Sequence, residues 1–187
     1  MFGATLSLSP TSGTYEVGQN VSVDILLNTE NTPIDGVDIH YLNFDPTVVE
    51  VKDQDSGAPG AQIAPGHLMP ITLANSVDSA KGQVTFSQVT NGGAKFTNNE
   101  PQVLATVMMR ILKSGPLDLN LSFTPGNTTD SNVAALAGRD MLSSVVNSHF
   151  EVLPKETGSS QALLIVLILV IAIVVILALV KFTKKSA

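Results

Sequence analysis

The sequence predicts an all-β domain, an antiparallel sandwich of about nine short strands, followed by one C-terminal transmembrane α-helix. Three observations carry that reading. Apolar and polar residues alternate with a period of two through most of residues 1–153, as in strands with one buried face. Turn-forming Gly, Pro, Asn and Asp recur at intervals of roughly 8 to 12 residues, too closely for soluble helices. Residues 162–180, ALLIVLILVIAIVVILALV, then run for nineteen positions without a charge, amide, hydroxyl, Gly or Pro.

The first strand is read over residues 4–8, and a turn-rich connection with Gly13 and Gly18 leads to a second over 21–27. There Val21, Val23, Ile25 and Leu27 alternate with Ser22, Asp24 and Leu26. In the third strand, 37–44, Val37, Ile39 and Tyr41 share one parity before Leu42 and Phe44 take the other. One extra residue flips a strand's faces, so this switch predicts a β-bulge near Tyr41, with Tyr41 inward. Asp45-Pro46 turns the chain into a short strand over 48–51, and 53–66 is loop, carrying Gly57, Pro59, Gly60 and Pro65. Residues 68–73 re-enter at a sheet edge, because Pro70 cannot donate to a ladder. A strand over 83–89 points Val84 and Phe86 inward, and Asn91-Gly92-Gly93 with 97–101 bounds the next loop. Residues 103–112 are long and mostly apolar, which predicts a central strand covered on both faces. Gly115-Pro116 turns into 117–123, where Leu117, Leu119, Leu121 and Phe123 alternate with Asp118, Asn120 and Ser122. Strands over 131–136 and 145–153 complete the domain.

A linker, 154–161, joins this domain to the apolar run. Nineteen helical residues span about 28 Å, one hydrocarbon core, and no polar stripe marks a soluble face. Lys181, Lys184 and Lys185, in the tail 181–187, place that end on the cytoplasmic side. The expectation is a single-pass cell-membrane protein, in contact with lipid through this helix, with its N-terminal domain extracellular. Met1-Phe2-Gly3-Ala4 has no basic start or apolar core, so the export signal is expected to have been removed. The linker reaches at most about 28 Å, keeping the domain near the membrane. Leu153-Pro154-Lys155-Glu156-Thr157-Gly158 resembles a sortase signal with one extra residue between Pro154 and Thr157.

All sixteen acidic residues but only seven of the ten basic ones precede Gln161. An acidic domain excludes nucleic acid as a partner, since that needs clustered Lys and Arg, and it does not lie flat on anionic lipid. The absence of cysteine excludes thiolate chemistry and leaves the core to hold without disulfides. Asp53-Gln54-Asp55-Ser56-Gly57 resembles the start of a calcium loop, but Ala58 and Ala64 stand where an EF-hand needs Gly and Glu, so it is read as plain acidic loop. His40, His67 and His149 lack ligand spacing, and Gly92-Gly93 precedes no helix that could receive a phosphate. With no Gly-x-Ser-x-Gly and no carboxylate pair, the chain is read as not an enzyme. There is no Trp, and the only tyrosines are Tyr15 and Tyr41, which argues against a flat sugar-stacking platform and leaves a polar glycan groove open. Asn20, Asn120 and Asn127 begin N-x-Ser/Thr sequons, which matter only in a host that glycosylates them.

Several segments, taken in order, resemble the cohesin family. They are Leu6-Ser7-Leu8-Ser9-Pro10 with Tyr15-Glu16-Val17-Gly18, Asn43-Phe44-Asp45-Pro46 leading to Val49-Glu50-Val51, and Gly82-Gln83-Val84-Thr85-Phe86-Ser87. Leu104-Ala105-Thr106-Val107 running to Lys113-Ser114-Gly115, Asp130-Ser131-Asn132-Val133, Asp140-Met141-Leu142 and Asn147-Ser148-His149-Phe150-Glu151-Val152 continue the series. The resemblance implies a nine-stranded jelly-roll sandwich related to bacterial cellulose-binding modules. It also implies a dockerin partner, a small calcium-loaded helical module, held on a flat sheet face that includes the strand before the Asp-Pro turn. Here that face would show Asp38, His40, Gln83, Thr85, Ser87, Asp118, Asn120 and Ser122. The chain itself would need no cofactor, with calcium entering only through the dockerin. The expected function is non-catalytic: a membrane-anchored cell-surface module docking a dockerin-bearing protein in a polysaccharide-degradation or surface-attachment scaffold. Alternatives are a module that binds cell-surface polysaccharide and a self-associating envelope protein.

Overall fold

The computed structural model describes residues 3–135, 138–156 and 167–168. The chain divides into two compact units, Met1–Pro154 and Lys155–Ala187. Among the described residues no helix is long and apolar enough to cross a membrane. The predicted span over 162–180 lies outside the described residues, apart from Leu167 and Ile168, which are helical and exposed. Lys181, Lys184 and Lys185 also lie outside them.

The first unit is built from β-strands. In chain order they are β1 (Ala4–Ser9), β2 (Ser12–Glu16), β3 (Asn20–Asn28), β4 (Gly36–Asn43), β5 (Val49–Val51), β6 (Ala64–Pro65) and β7 (Ile71–Asp78). There follow β8 (Gln83–Val89), β9 (Gln102–Ile111), β10 (Gly115–Leu121), β11 (Asn132–Ala135), β12 (Arg139–Asp140), β13 (Leu142–Val146) and β14 (Ser148–Leu153). One sheet runs β13-β1-β3-β9-β5, with β6 also paired to β9. The other runs β12-β11-β4-β10-β14-β2, with β8 on β4 and β7 on β8. Their inner faces meet in one apolar core, Leu6, Leu8, Ile25 and Val107 from the first sheet and Ile39, Phe86, Leu119 and Phe150 from the second.

The longer strands lie where the alternation predicts them, and β8 matches its predicted bounds. The fourteen segments among the described residues exceed nine partly because the first and last strands of the β unit are broken. The first strand stops at Ser9, and after Pro10 and Thr11 the chain restarts as β2 in the other sheet. The last predicted strand is likewise split at Asn147 into β13 and β14, one in each sheet. These end pieces pair with each other, β1 with β13 and β2 with β14, and both pairs are parallel. The sandwich is therefore antiparallel except where the two ends of the domain meet.

Three further expectations are corrected. The strand over 103–112 is central, as β9, but it is covered on one face only. Val107, Met109 and Ile111 are buried while Thr106 and Met108 are half-buried and Arg110 is exposed. Its apolar run reflects a register shift opposite Ile25 and Leu26, which accommodates both Leu104 and Ala105 in the core. The edge strand predicted over 68–73 lies further on, as β7, and Pro70 stands just before it. The bulge in β4 occurs between Ile39 and Leu42, where His40 and Tyr41 together face the single residue Thr85 of β8. Tyr41 is half-buried within it rather than core, its ring tilted against His40 with centroids 4.2 Å apart.

Two local contacts hold loops to this frame. Asn98 Oδ1 accepts from Thr29 N at 2.7 Å, Asn98 Nδ2 donates to the Leu27 carbonyl at 2.9 Å, and Thr29 Oγ1 joins the Asn98 backbone. Gly82, at φ +67°, brings its carbonyl to Phe44 N at 2.9 Å. A Cβ on Gly82 would lie 2.0 Å from the Phe44 carbonyl oxygen. Asn98→Ala is expected to cost about 1–3 kcal/mol, because it strips the buried Thr29 amide of its acceptor. Gly82→Ala is expected to cost more than about 1 kcal/mol through positive φ and backbone collision together. Urea unfolding of each variant measures both; a loss below about 0.5 kcal/mol contradicts the corresponding assignment.

Candidate functional site

In a pleated sheet, residues outward on neighbouring strands fall into rows. On the outer face of the second sheet, Asp38 of β4 stands between Asn132 of β11 and Ser87 of β8, with Ala74 of β7 beyond. In the next row Thr85 Oγ1 donates to the His40 carbonyl at 3.1 Å, and His40 N donates to Ser131 Oγ at 3.3 Å. Past the bulge, Gln83 Nε2 donates to Asn43 Oδ1 and Asn43 Nδ2 to the Asn120 carbonyl, each at 3.3 Å. On β10 and β14, Asp118 faces His149. Ser122, one residue past β10, donates its amide to the Tyr41 carbonyl at 2.8 Å.

Seven of the eight residues singled out thus stand on three neighbouring strands of one sheet, with Ser122 at the end of β10. The structure adds Asn43, Asn132, His149 and Glu151 to the same face. Asn43 was legible once the parity switch was followed one residue further. The other three depend on β11 and β14 being neighbours of β4 and β10, which no local pattern specifies.

Asp38 is half-buried, and loss of solvent pushes its carboxyl above the usual carboxylate range, partly offset by the charge of nearby His40. It lines a hollow of about 300 Å³ with Gly36, Ser87, Val89, Asn132 and Ala134. Gly36 lets β4 approach β8 closely beside it, since a Cβ there would lie 2.8 Å from Val89 Cγ1 and 2.9 Å from the Gln88 carbonyl. At the other end of β4, Asn43, Phe44, Asp45, Pro116, Asp118 and Asn120 line a second hollow of about 400 Å³.

The acidic loop after β5 spends its carboxylates on its own backbone. Asp53 Oδ1 accepts from Asp55 N and Gln62 N at 3.0 Å, and Asp55 Oδ1 from Gly57 N at 3.0 Å. These backbone bonds hold the Asp53 carboxyl below its ordinary value. Among the described residues no group of three or more His, Asp and Glu side chains is placed to hold a metal ion.

His149 stands at one side of the face between two carboxylates. Its Nδ1 lies 2.7 Å from Asp118 Oδ1 and its Nε2 3.2 Å from Glu151 Oε1. Hydrogen bonds to these two carboxylates, Asp118 first, raise the imidazole pKa above its ordinary value. The stabilisation from the charged ring is therefore complete below the unfolded histidine's pKa and is lost as pH rises through the folded one. An NMR titration should place the His149 ring above an ordinary histidine, and Asp118→Asn should bring it down. An unchanged midpoint in that variant would remove the pairing.

The family model described as the cohesin domain matches residues 4–140. Comparison with curated proteins finds no match. Among solved structures, a chain of a type I cohesin–dockerin complex from Clostridium thermocellum aligns with a TM-score of 0.62 at 12% identity, covering 82% of this chain and 96% of that one. A type II cohesin module from the adaptor scaffoldin of Acetivibrio cellulolyticus aligns at 0.60 and 15%, covering 85% and 94%. A non-cellulosomal cohesin from the hyperthermophilic archaeon Archaeoglobus fulgidus aligns at 0.57 and 15%, covering 85% and 97%. These similarities establish the fold, and with the family model spanning most of the β unit they lead to one conclusion: this chain belongs to the cohesin domain family.

Proposed function

We propose that this cohesin docks a dockerin-bearing protein, without catalysis, on the outer face of its second sheet. The observation that carries the reading is that face. It is a broad surface of mostly short polar side chains, hydroxyls at Thr85 and Ser87 and amides at Asn43 and Asn120 beside the longer Gln83, with carboxylates at Asp38, Asp118 and Glu151. Short polar groups on a sheet lose little side-chain entropy when a partner covers them, and a desolvated carboxylate such as Asp38 gains most from a donor brought to it. Cohesin–dockerin complexes stand among the similar structures, and calcium would enter this system within the dockerin. The module would be held at the cell surface by the apolar run over 162–180, with Lys181, Lys184 and Lys185 on the cytoplasmic side.

A second reading rests on the hollow lined by Asn43, Asp118 and Asn120, whose donors and acceptors suit sugar hydroxyls. Binding of a cell-surface polysaccharide with no protein partner would favour it.

The test is capture by the immobilised full chain in detergent. Calcium-loaded dockerins, identified by mass spectrometry, should bind in calcium and release in EDTA. Asp38→Ala should weaken capture by about tenfold or more, the worth of a charge-assisted hydrogen bond at an interface. If no dockerin is retained, or EDTA has no effect on what is retained, the docking assignment fails and retention on polysaccharide becomes the deciding measurement.

A further inference from the structure

The fold sorts the three N-x-Ser/Thr sequons into two kinds. Asn20-Val21-Ser22 opens β3, where Asn20 pairs with Arg110 and Val21 is buried. Asn120-Leu121-Ser122 closes β10, where Asn120 pairs with Asn43 and Leu121 is buried. In an extended strand the Asn and Ser side chains share a face but stand roughly 6.5–7 Å apart, and the backbone between them belongs to the ladder. A transferase would have to unzip the sheet to use either.

Asn127-Thr128-Thr129 is different. It lies in the loop from β10 to β11, after a turn in which Asn127 N donates to the Thr124 carbonyl at 3.0 Å. Pro125 and Gly126, the latter at φ +80°, occupy the central positions, as a type II turn requires. Asn127 Oδ1 then accepts from Thr129 N at 3.0 Å and from Thr129 Oγ1 at 2.9 Å. The hydroxyl and carboxamide of the sequon are thus already together, and Thr128 and Thr129 are exposed. The feet of the loop are tied, Ser131 N donating to the Ser122 carbonyl at 3.0 Å and Thr124 N to the Asp130 carboxylate. Pro125 and Gly126 share a hollow with Gly3 and with Arg139 to Ser143, so the tip leans away from the outer face of the second sheet.

We propose that Asn127 is an N-glycan acceptor of the folded domain, modified by a membrane oligosaccharyltransferase from a polyprenyl-phosphate-linked oligosaccharide. Asn127 Nδ2 attacks the anomeric carbon, and the C–N bond forms as the anomeric C–O bond to phosphate breaks. The polyprenyl phosphate leaves with the electron pair, and the amide proton passes to a base of the transferase. This assignment is independent of what the outer face binds.

The folded full chain in detergent is incubated with an archaeal oligosaccharyltransferase and a dolichyl-phosphate-linked oligosaccharide, then read by intact mass and peptide mapping. One glycan on Asn127 is expected. Asn127→Gln and Thr129→Ala should each abolish it without lowering the melting temperature by more than a few degrees, whereas Asn20→Gln and Asn120→Gln should leave occupancy within twofold. A peptide spanning 124–132 is the acceptor control. A folded chain left unmodified, or a glycan found on Asn20 or Asn120 instead, overturns the proposal.

Discussion

One extra residue in β4 is the constraint on which the second sheet depends. Val37 and Ile39 face the core before it, Leu42 after it, and the outward positions shift from Asp38 to Asn43 in the same step. Without the bulge, the strand would have to bury Asn43 or expose Leu42. It also divides the strand's other edge. β11 pairs with residues up to Asp38 and β10 with Leu42 and Asn43. Between them the backbone is satisfied by Ser131 Oγ on His40 N and by Ser122 N on the Tyr41 carbonyl, as a partly buried main chain demands. The loop that carries Asn127 leaves the sheet at this gap.

The ends of the domain solve a second problem, how to close a sandwich that has no cysteine. The first and last stretches each cross from one sheet to the other and run side by side. Ser148 Oγ donates to the Pro10 carbonyl at 2.7 Å and His149 N to the Thr11 carbonyl at 2.9 Å, at the crossing itself. Ala4 N donates to the Met141 carbonyl at 2.7 Å and Val17 N to that of Leu153 at 3.1 Å. Residues well over a hundred positions apart are thereby joined by backbone bonds, which also cover strand edges that would otherwise be free to pair with other chains.

The acidic composition separates into two uses. Asp45, Asp53 and Asp78 accept bonds from nearby groups, which hold their carboxyls below the ordinary range and fix the turns they sit in. Asp35, Glu50 and Asp78 pair with Lys95, Lys52 and Lys81. Asp38 is in neither group. It is half-buried, its carboxyl is raised by loss of solvent, and it is held on a face whose neighbours are mostly neutral.

The sequence by itself determined the class of fold, most strand positions and the bulge, because side-chain parity in a strand is a local property with a period of two. For the same reason it identified the outward residues of β4, β8 and β10. It could not show that the run over 103–112 needs only one covered face, since a register shift that buries both Leu104 and Ala105 depends on what lies opposite. Nor could it place His149 and Glu151 beside Asp118, or Asn132 beside Asp38, because pairing between distant strands is settled by how two sheets close around one core. The tertiary structure alone decided which strands are neighbours, and so which polar residues form one face and which of three identical motifs stands free of the sheet.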